Sequence, residues 1–120
     1  MKGSLETLDL TIENHIATLA INRPQARNAL NRLAYAELEQ TFIELQSNQD
    51  VRCVIITGTD PAFCSGDDVK ELMTGDASAS HSRLRAVRPT MTPAAAAIVA
   101  CDRPIIAAVN GAAVGWGMDL

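Results

Sequence analysis

Apolar and polar positions alternate twice near the start of the chain. Leu8, Leu10 and Ile12 are separated by polar residues, and after Glu13, Asn14 and His15 the pattern resumes at Ala17, Leu19 and Ile21. Successive side chains of a strand point to opposite faces, so this spacing predicts a hairpin with one buried face. Asn22-Arg23-Pro24 ends it, because proline has no N–H to give to a central ladder. The period then changes. Leu30, Ala34, Leu38, Phe42 and Leu45 form one apolar stripe with Glu37, Glu39, Gln40 and Glu44 mostly away from it, which predicts a helix from about Asn31 to Ser47. Asn28 or Asn31 is its candidate N-cap.

Val51 to Thr57 is apolar and β-branched and runs into Gly58-Thr59-Asp60-Pro61, a strand closed by a turn. Strand, helix, strand in this order predicts parallel pairing through a right-handed crossover. Ala62 to Leu72 then reads as a loop-to-helix corner, in which Gly66 permits the turn and Asp67 or Asp68 starts the helix. Met73 to Pro93 is polar and small and is expected to be mobile; Arg83, Arg85 and Arg88 within it read as a solvated basic face. Thr92-Pro93 suits the cap and first position of a helix through Ala100, which Asp102-Arg103-Pro104 closes. The apolar run Ile105 to Val109 predicts a buried strand, followed by a turn rich in glycine at Gly111, Gly115 and Gly117 and a helix start. No internal repeat and no second domain is visible.

The chain thus uses one device twice: an apolar strand, a glycine turn and a helix start, at Val54 to Asp68 and at Ile105 to Asp119. Parallel neighbours in one sheet place both turns at the same edge. Amide N–H groups at such corners lack intrahelical partners, and two of them aimed at one point stabilise an oxygen that gains negative charge. Asp119 follows Trp116 by three residues, so on a helix both share a face, and a carboxylate beside free amides suggests acid/base chemistry on a carbonyl. A purely structural reading makes this a glycine-rich corner with Asp119 as a first-turn acid. A dinucleotide fingerprint would need glycine at position 120, where Leu120 stands, and there is no Gly-Lys-Ser/Thr for a phosphate-cradling loop.

Composition narrows the field. With 48% hydrophobic and 20% charged residues the chain is ordinary for a globular protein. A net charge of −4 and a pI near 5.0 argue against a nucleic-acid partner, which requires a dominant basic face. No apolar run approaches membrane-spanning length and Met1-Lys-Gly-Ser has no apolar stretch after it, so the expectation is a cytoplasmic protein with no membrane partner. Cys53, Cys64 and Cys101 are odd in number and fit no metal spacing, so they read as reduced thiols and no metal is expected. His15 and His81 lie in polar surroundings and receive no role. Leu120 ends the chain just as a helix begins, so these 120 residues read as part of a longer domain, unstable or self-associating alone.

Three motifs in order carry a resemblance. Asn22-Arg23-Pro24 with Asn28-Ala29-Leu30, then Val54 to Gly58 leading to Ala62-Phe63-Cys64-Ser65-Gly66-Asp67-Asp68, then Ile106 to Asp119, are similar to the crotonase (enoyl-CoA hydratase/isomerase) family from about Leu8 to Leu120. The resemblance implies an α/β fold of the ClpP/crotonase type with a ββα core, of which this chain is the N-terminal portion. It implies an acyl-CoA thioester as substrate, with no separate cofactor, and a homotrimer or hexamer when full length. The thioester carbonyl would lie between the backbone N–H groups of Asp67 and Trp116. Arg23, Gln25 and Arg27, together with Cys64, Ser65, Gly66, Asp68 and Gly115, would line the substrate. Asp119 falls where many hydratases carry their first catalytic glutamate, and the second carboxylate would lie beyond Leu120.

Two positions depart from the family pattern. Trp116 stands where hydratases commonly have glycine, which reshapes the acyl pocket if the indole points inward, and Asp119 replaces a glutamate, recessing the carboxylate by one methylene. The resemblance implies a lyase that stabilises a thioester enolate and hydrates 2-enoyl-CoA to 3-hydroxyacyl-CoA. Isomerisation or another reaction of the same fold is the alternative, because the enolate site is shared while acid/base groups decide the product. A catalytically inactive binding or assembly piece is the third reading.

Overall fold

The computed structural model describes residues 5–70 and 92–120. The alternating stretches form β1 (Leu8–Glu13) and β2 (Ile16–Ile21), an antiparallel hairpin in which Leu10 pairs with Leu19. Asn14 and His15 both take positive φ at its tip, the conformation that matches a two-residue loop to strand twist. His15, without a role in the sequence, closes its ring Nδ1 on the Asp50 carbonyl at 2.9 Å.

A single 3-10 turn at Pro24–Ala26 leads to α1 (Arg32–Ser47). Of the two candidate caps, Asn31 is the cap: its side-chain oxygen accepts from the Ala34 amide at 2.8 Å. Ala34, Leu38, Phe42 and Leu45 are buried, so the apolar stripe faces the sheet as its spacing requires. Fully burying a side chain such as Leu38 or Phe42 stabilises by about 2 kcal/mol. Both ends of α1 are tied down. Glu37 accepts from the amides of Glu6 and Thr7 at 2.9 and 2.8 Å, and Arg103 donates to carbonyls of Val51 and Asn48 at 3.3 and 3.2 Å.

β3 (Cys53–Gly58) lies parallel to β2, with Leu19 beside Ile56, and β4 (Ile105–Ala107) lies parallel to β3. The sheet order is β1-β2-β3-β4. The strand–helix–strand unit is therefore parallel, as its spacing implied. α2 (Pro93–Ala100) is capped by Thr92, whose hydroxyl accepts from the Ala95 amide, and it packs against α1. The last element, α3 (Trp116–Asp119), is a single turn.

One expectation is corrected. Ile105 to Val109 was expected to be a buried strand, but only Ile105–Ala107 is extended, and Ile106 and Val109 are 53% and 58% exposed. Among the described residues β4 is paired on one side alone, and apolar composition secures burial only where another layer covers the strand. The helix expected after Asp68 is begun at Val69 and Lys70. Of the Met73 to Pro93 segment expected to be mobile, all but Thr92 and Pro93 lies outside the described residues, and so do its three arginines and His81.

Candidate active site

Because β3 and β4 run parallel side by side, the two glycine corners leave the sheet at the same edge. They are bonded to each other along their length. The amides of Phe63 and Cys64 both donate to the Ala112 carbonyl at 3.1 Å, and Val114 N–H donates to the Cys64 carbonyl at 3.0 Å. Asn110 adds a side-chain clasp, its oxygen accepting from Gly58 N–H at 3.2 Å and its nitrogen donating to Asp60 and Ala62. Glycine is needed where the backbones touch: a Cβ on Gly111 would lie 2.5 Å from the Pro61 oxygen.

The tightest approach is at the tips. Gly66 has φ +91°, and a Cβ there would lie 2.9 Å from the Val114 oxygen and 3.6 Å from the Trp116 nitrogen. The Gly66 carbonyl accepts from Leu30 N–H at 2.7 Å, and Asp68 N–H donates to the Leu30 carbonyl at 2.9 Å. A trans peptide points its C=O and N–H in opposite directions, so the Leu30 bond aims the Asp67 N–H away from Leu30. Trp116 N–H begins α3, where no preceding turn supplies an acceptor. Among the described residues, neither the Asp67 nor the Trp116 amide donates to a backbone carbonyl.

The first loop is anchored to this assembly by Asn28, which the sequence offered as a helix cap and as part of the first motif. Its side chain is fully buried, accepts from Arg23 N–H at 2.8 Å and donates to the Thr59 and Ala62 carbonyls, each at 2.7 Å. Arg23 places Nη1 2.9 Å from the Asp68 carboxylate and 2.6 Å from the Ala29 carbonyl, so these two expected substrate contacts are joined in a half-buried ion pair. Ser65 Oγ reaches the Ala26 carbonyl at 3.4 Å. Gln25 and Arg27 are exposed on the loop, and Gly66 is buried. Gly115 takes φ +58°, and a Cβ there would meet the Gly66 Cα at 4.0 Å.

Cys64 is buried between the corners, and its thiol is pushed above the ordinary range by burial; a Gly66 N–H bond opposes the shift and the Asp67 charge adds to it. This suits a small residue in a tight turn. Asp119 closes α3 and is exposed, since among the described residues this single helical turn has no layer above it to exclude water.

Trp116 and Asp67 also contribute side chains to a cavity of about 510 Å3 between α1 and α2, walled by Tyr35, Ala36, Pro93 and Ala94 with Arg32 and Glu39 among its lining. That volume is in the range of small-molecule sites. Tyr35 was not legible as a site residue. Its hydroxyl donates to the Asp67 carboxylate and its ring meets the Trp116 indole edge-on, centroids 5.2 Å apart at 76°. No group of His, Cys, Asp or Glu among the described residues is placed to hold a metal, and no described helix is long and apolar enough to cross a membrane.

Residues 11–120 match the family model for enoyl-CoA hydratase/isomerase. The chain is 37% identical over 96% of its length to a Bacillus subtilis protein named as an enoyl-CoA hydratase/isomerase, covering 44% of that protein. It is 34% identical over 98% of its length to the peroxisomal Delta(3,5)-Delta(2,4)-dienoyl-CoA isomerase of Arabidopsis thaliana, covering 45% of it. Among solved structures, enoyl-CoA hydratase from Mycobacterium tuberculosis H37Rv superposes with a TM-score of 0.74 at 32% identity, over 95% of this chain and 43% of that one. The chain therefore spans less than half the length of each of these relatives.

Proposed function

Because this chain belongs to the enoyl-CoA hydratase/isomerase family, we propose that the whole protein binds an acyl-CoA thioester and hydrates 2-enoyl-CoA to 3-hydroxyacyl-CoA. The observation that carries the proposal is the pair of unspent amides at Asp67 and Trp116, on two corners in van der Waals contact. Attack of water on an enoyl thioester drives electron density onto the carbonyl oxygen. Two fixed N–H donors at that oxygen stabilise the enolate without reorganising, each worth roughly 10²-fold or more in rate. The exposed loop at Gln25 and Arg27, with Ser65 beside it, offers polar groups to the CoA moiety, and Arg23 and Asp68 hold that loop to the first corner.

Water must also be oriented and deprotonated, and a proton delivered to the α-carbon. Asp119 is the carboxylate of this chain assigned to that work, one helical turn from the Trp116 amide. Asp119→Asn in the whole protein is expected to lower kcat for a short enoyl-CoA by about 10²-fold or more with KM little changed, because the donors to the carbonyl are backbone groups. An unchanged kcat would leave Asp119 as a first-turn acid and remove it from the mechanism.

A second reading, double-bond isomerisation, is favoured by the dienoyl-CoA isomerase among the relatives and by the shorter acid at 119. It needs the same enolate but moves a proton along the acyl chain without adding water. Product analysis separates the two by mass, since only hydration adds a water. The proposal includes a homotrimer or hexamer in the cytoplasm: exposed Ile106, Val109, Val114 and Met118 support cover by further protein, and free thiols at Cys53, Cys64 and Cys101 fit a reducing compartment.

A further inference from the structure

Tyr35 lies in the first turn of α1, 32 residues before Asp67, yet it touches both residues whose amides form the candidate donor pair. Its hydroxyl donates to the Asp67 carboxylate, and its ring packs edge-on against the Trp116 indole. The edge-on contact fixes the ring, which leaves the hydroxyl one direction to point. Burial, reinforced by the Asp67 bond, raises the phenol well above the ordinary tyrosine range, so at neutral pH Tyr35 is the donor and the carboxylate the acceptor.

A carboxylate on a donor residue is a liability for the proposed chemistry. The oxyanion would form next to it, and a seated thioester displaces the water that screens the two charges from each other. A free Asp67 side chain could also turn toward the unspent amides and compete with the substrate oxygen for them. Arg32 and Glu39, the other charged side chains lining the cavity among the described residues, are carried by α1 with Tyr35.

We infer that Tyr35 is a positioning residue, holding the Asp67 carboxylate aside from the Asp67 and Trp116 amides; this rests on the reading of those amides given under the proposed function. The two cavity contacts of Tyr35 then have separate jobs. The ring keeps the indole as a wall of the acyl cavity, and the hydroxyl keeps the acid occupied.

The test uses the whole protein, steady-state kinetics with a short 2-enoyl-CoA, and the infrared carbonyl stretch of the bound thioester. Tyr35→Phe retains the ring and deletes the latch. It is expected to lower kcat about tenfold with KM within about twofold and to reduce the downshift of the carbonyl band. Adding Asp67→Asn to Tyr35→Phe removes the charge that has been released and is expected to recover most of the lost kcat and downshift. Unchanged kcat in Tyr35→Phe, or a double variant as slow as the single, overturns the inference while a shifted wild-type band leaves the amide pair standing. A wild-type band that does not shift at all overturns the amide pair and the latch together.

Discussion

A Cβ on Gly117 would sit 2.2 Å from the Cys64 carbonyl oxygen and 2.8 Å from the Cys64 Cβ, so the second corner closes on the first only because residue 117 has no side chain. The obstruction is backbone, which cannot rotate away. Gly117→Ala is expected to cost about 3 kcal/mol or more, as overpacking against a fixed backbone does, and to separate the two corners. Urea unfolding of the whole protein measures the loss. A variant as stable as the parent would show that the corners are not in contact at this point.

Asn28 should matter about as much, for a different reason. Replacing it by alanine leaves the Arg23 N–H and the Thr59 and Ala62 carbonyls without its bonds and places a Cβ-only residue at φ +59°. Each buried polar group left unmet costs about 1–3 kcal/mol, although Ala62 retains a weaker bond from Asn110 at 3.4 Å. Asn28→Ala is expected to lose about 3 kcal/mol, and Asn28→Asp at least as much, because a carboxylate oxygen in place of the Nδ2 donor would face the Thr59 and Ala62 carbonyl oxygens. Equal unfolding midpoints for Asn28→Ala and the parent would contradict the clasp.

These two residues show what was legible in the sequence and what was not. The hairpin and α1 were readable because burial of one face imposes a period of two or 3.6 on the residues themselves. Both corners were readable because glycine marks backbone that must turn or touch, and the glycines stand in the string. Asn28, Asn110 and Tyr35 each reach partners 31 or more residues away, and no local pattern encodes such pairs. The exposure of Ile106 and of Asp119 was likewise hidden, since apolar or acidic character says what a residue tolerates, and the layers around it decide what it receives.

The pH dependence of the buried corner has a definite sign. Burial raises Cys64 above its ordinary value of 9.0 and Tyr35 above 10.0, so the folded state binds these protons more tightly than the unfolded chain. Their stabilisation is fully present below those ordinary values and is lost as pH rises through the folded ones. The unfolding midpoint is expected to fall once pH exceeds about 9, and Tyr35→Phe should reduce the part of that fall lying above about 10. In the native protein, alkylation at pH 8 should modify half-buried Cys53 and Cys101 before buried Cys64. A Cys64 that reacts first would contradict both its burial and its raised pKa.

The central claim concerns two amides and one oxygen. A crystal structure of the whole protein with a non-reactive acyl-CoA thioester analogue tests it directly. The account predicts the thioester carbonyl oxygen within about 3 Å of both the Asp67 and the Trp116 nitrogens. A carbonyl oxygen that lies away from both amides, held by side chains instead, would contradict it.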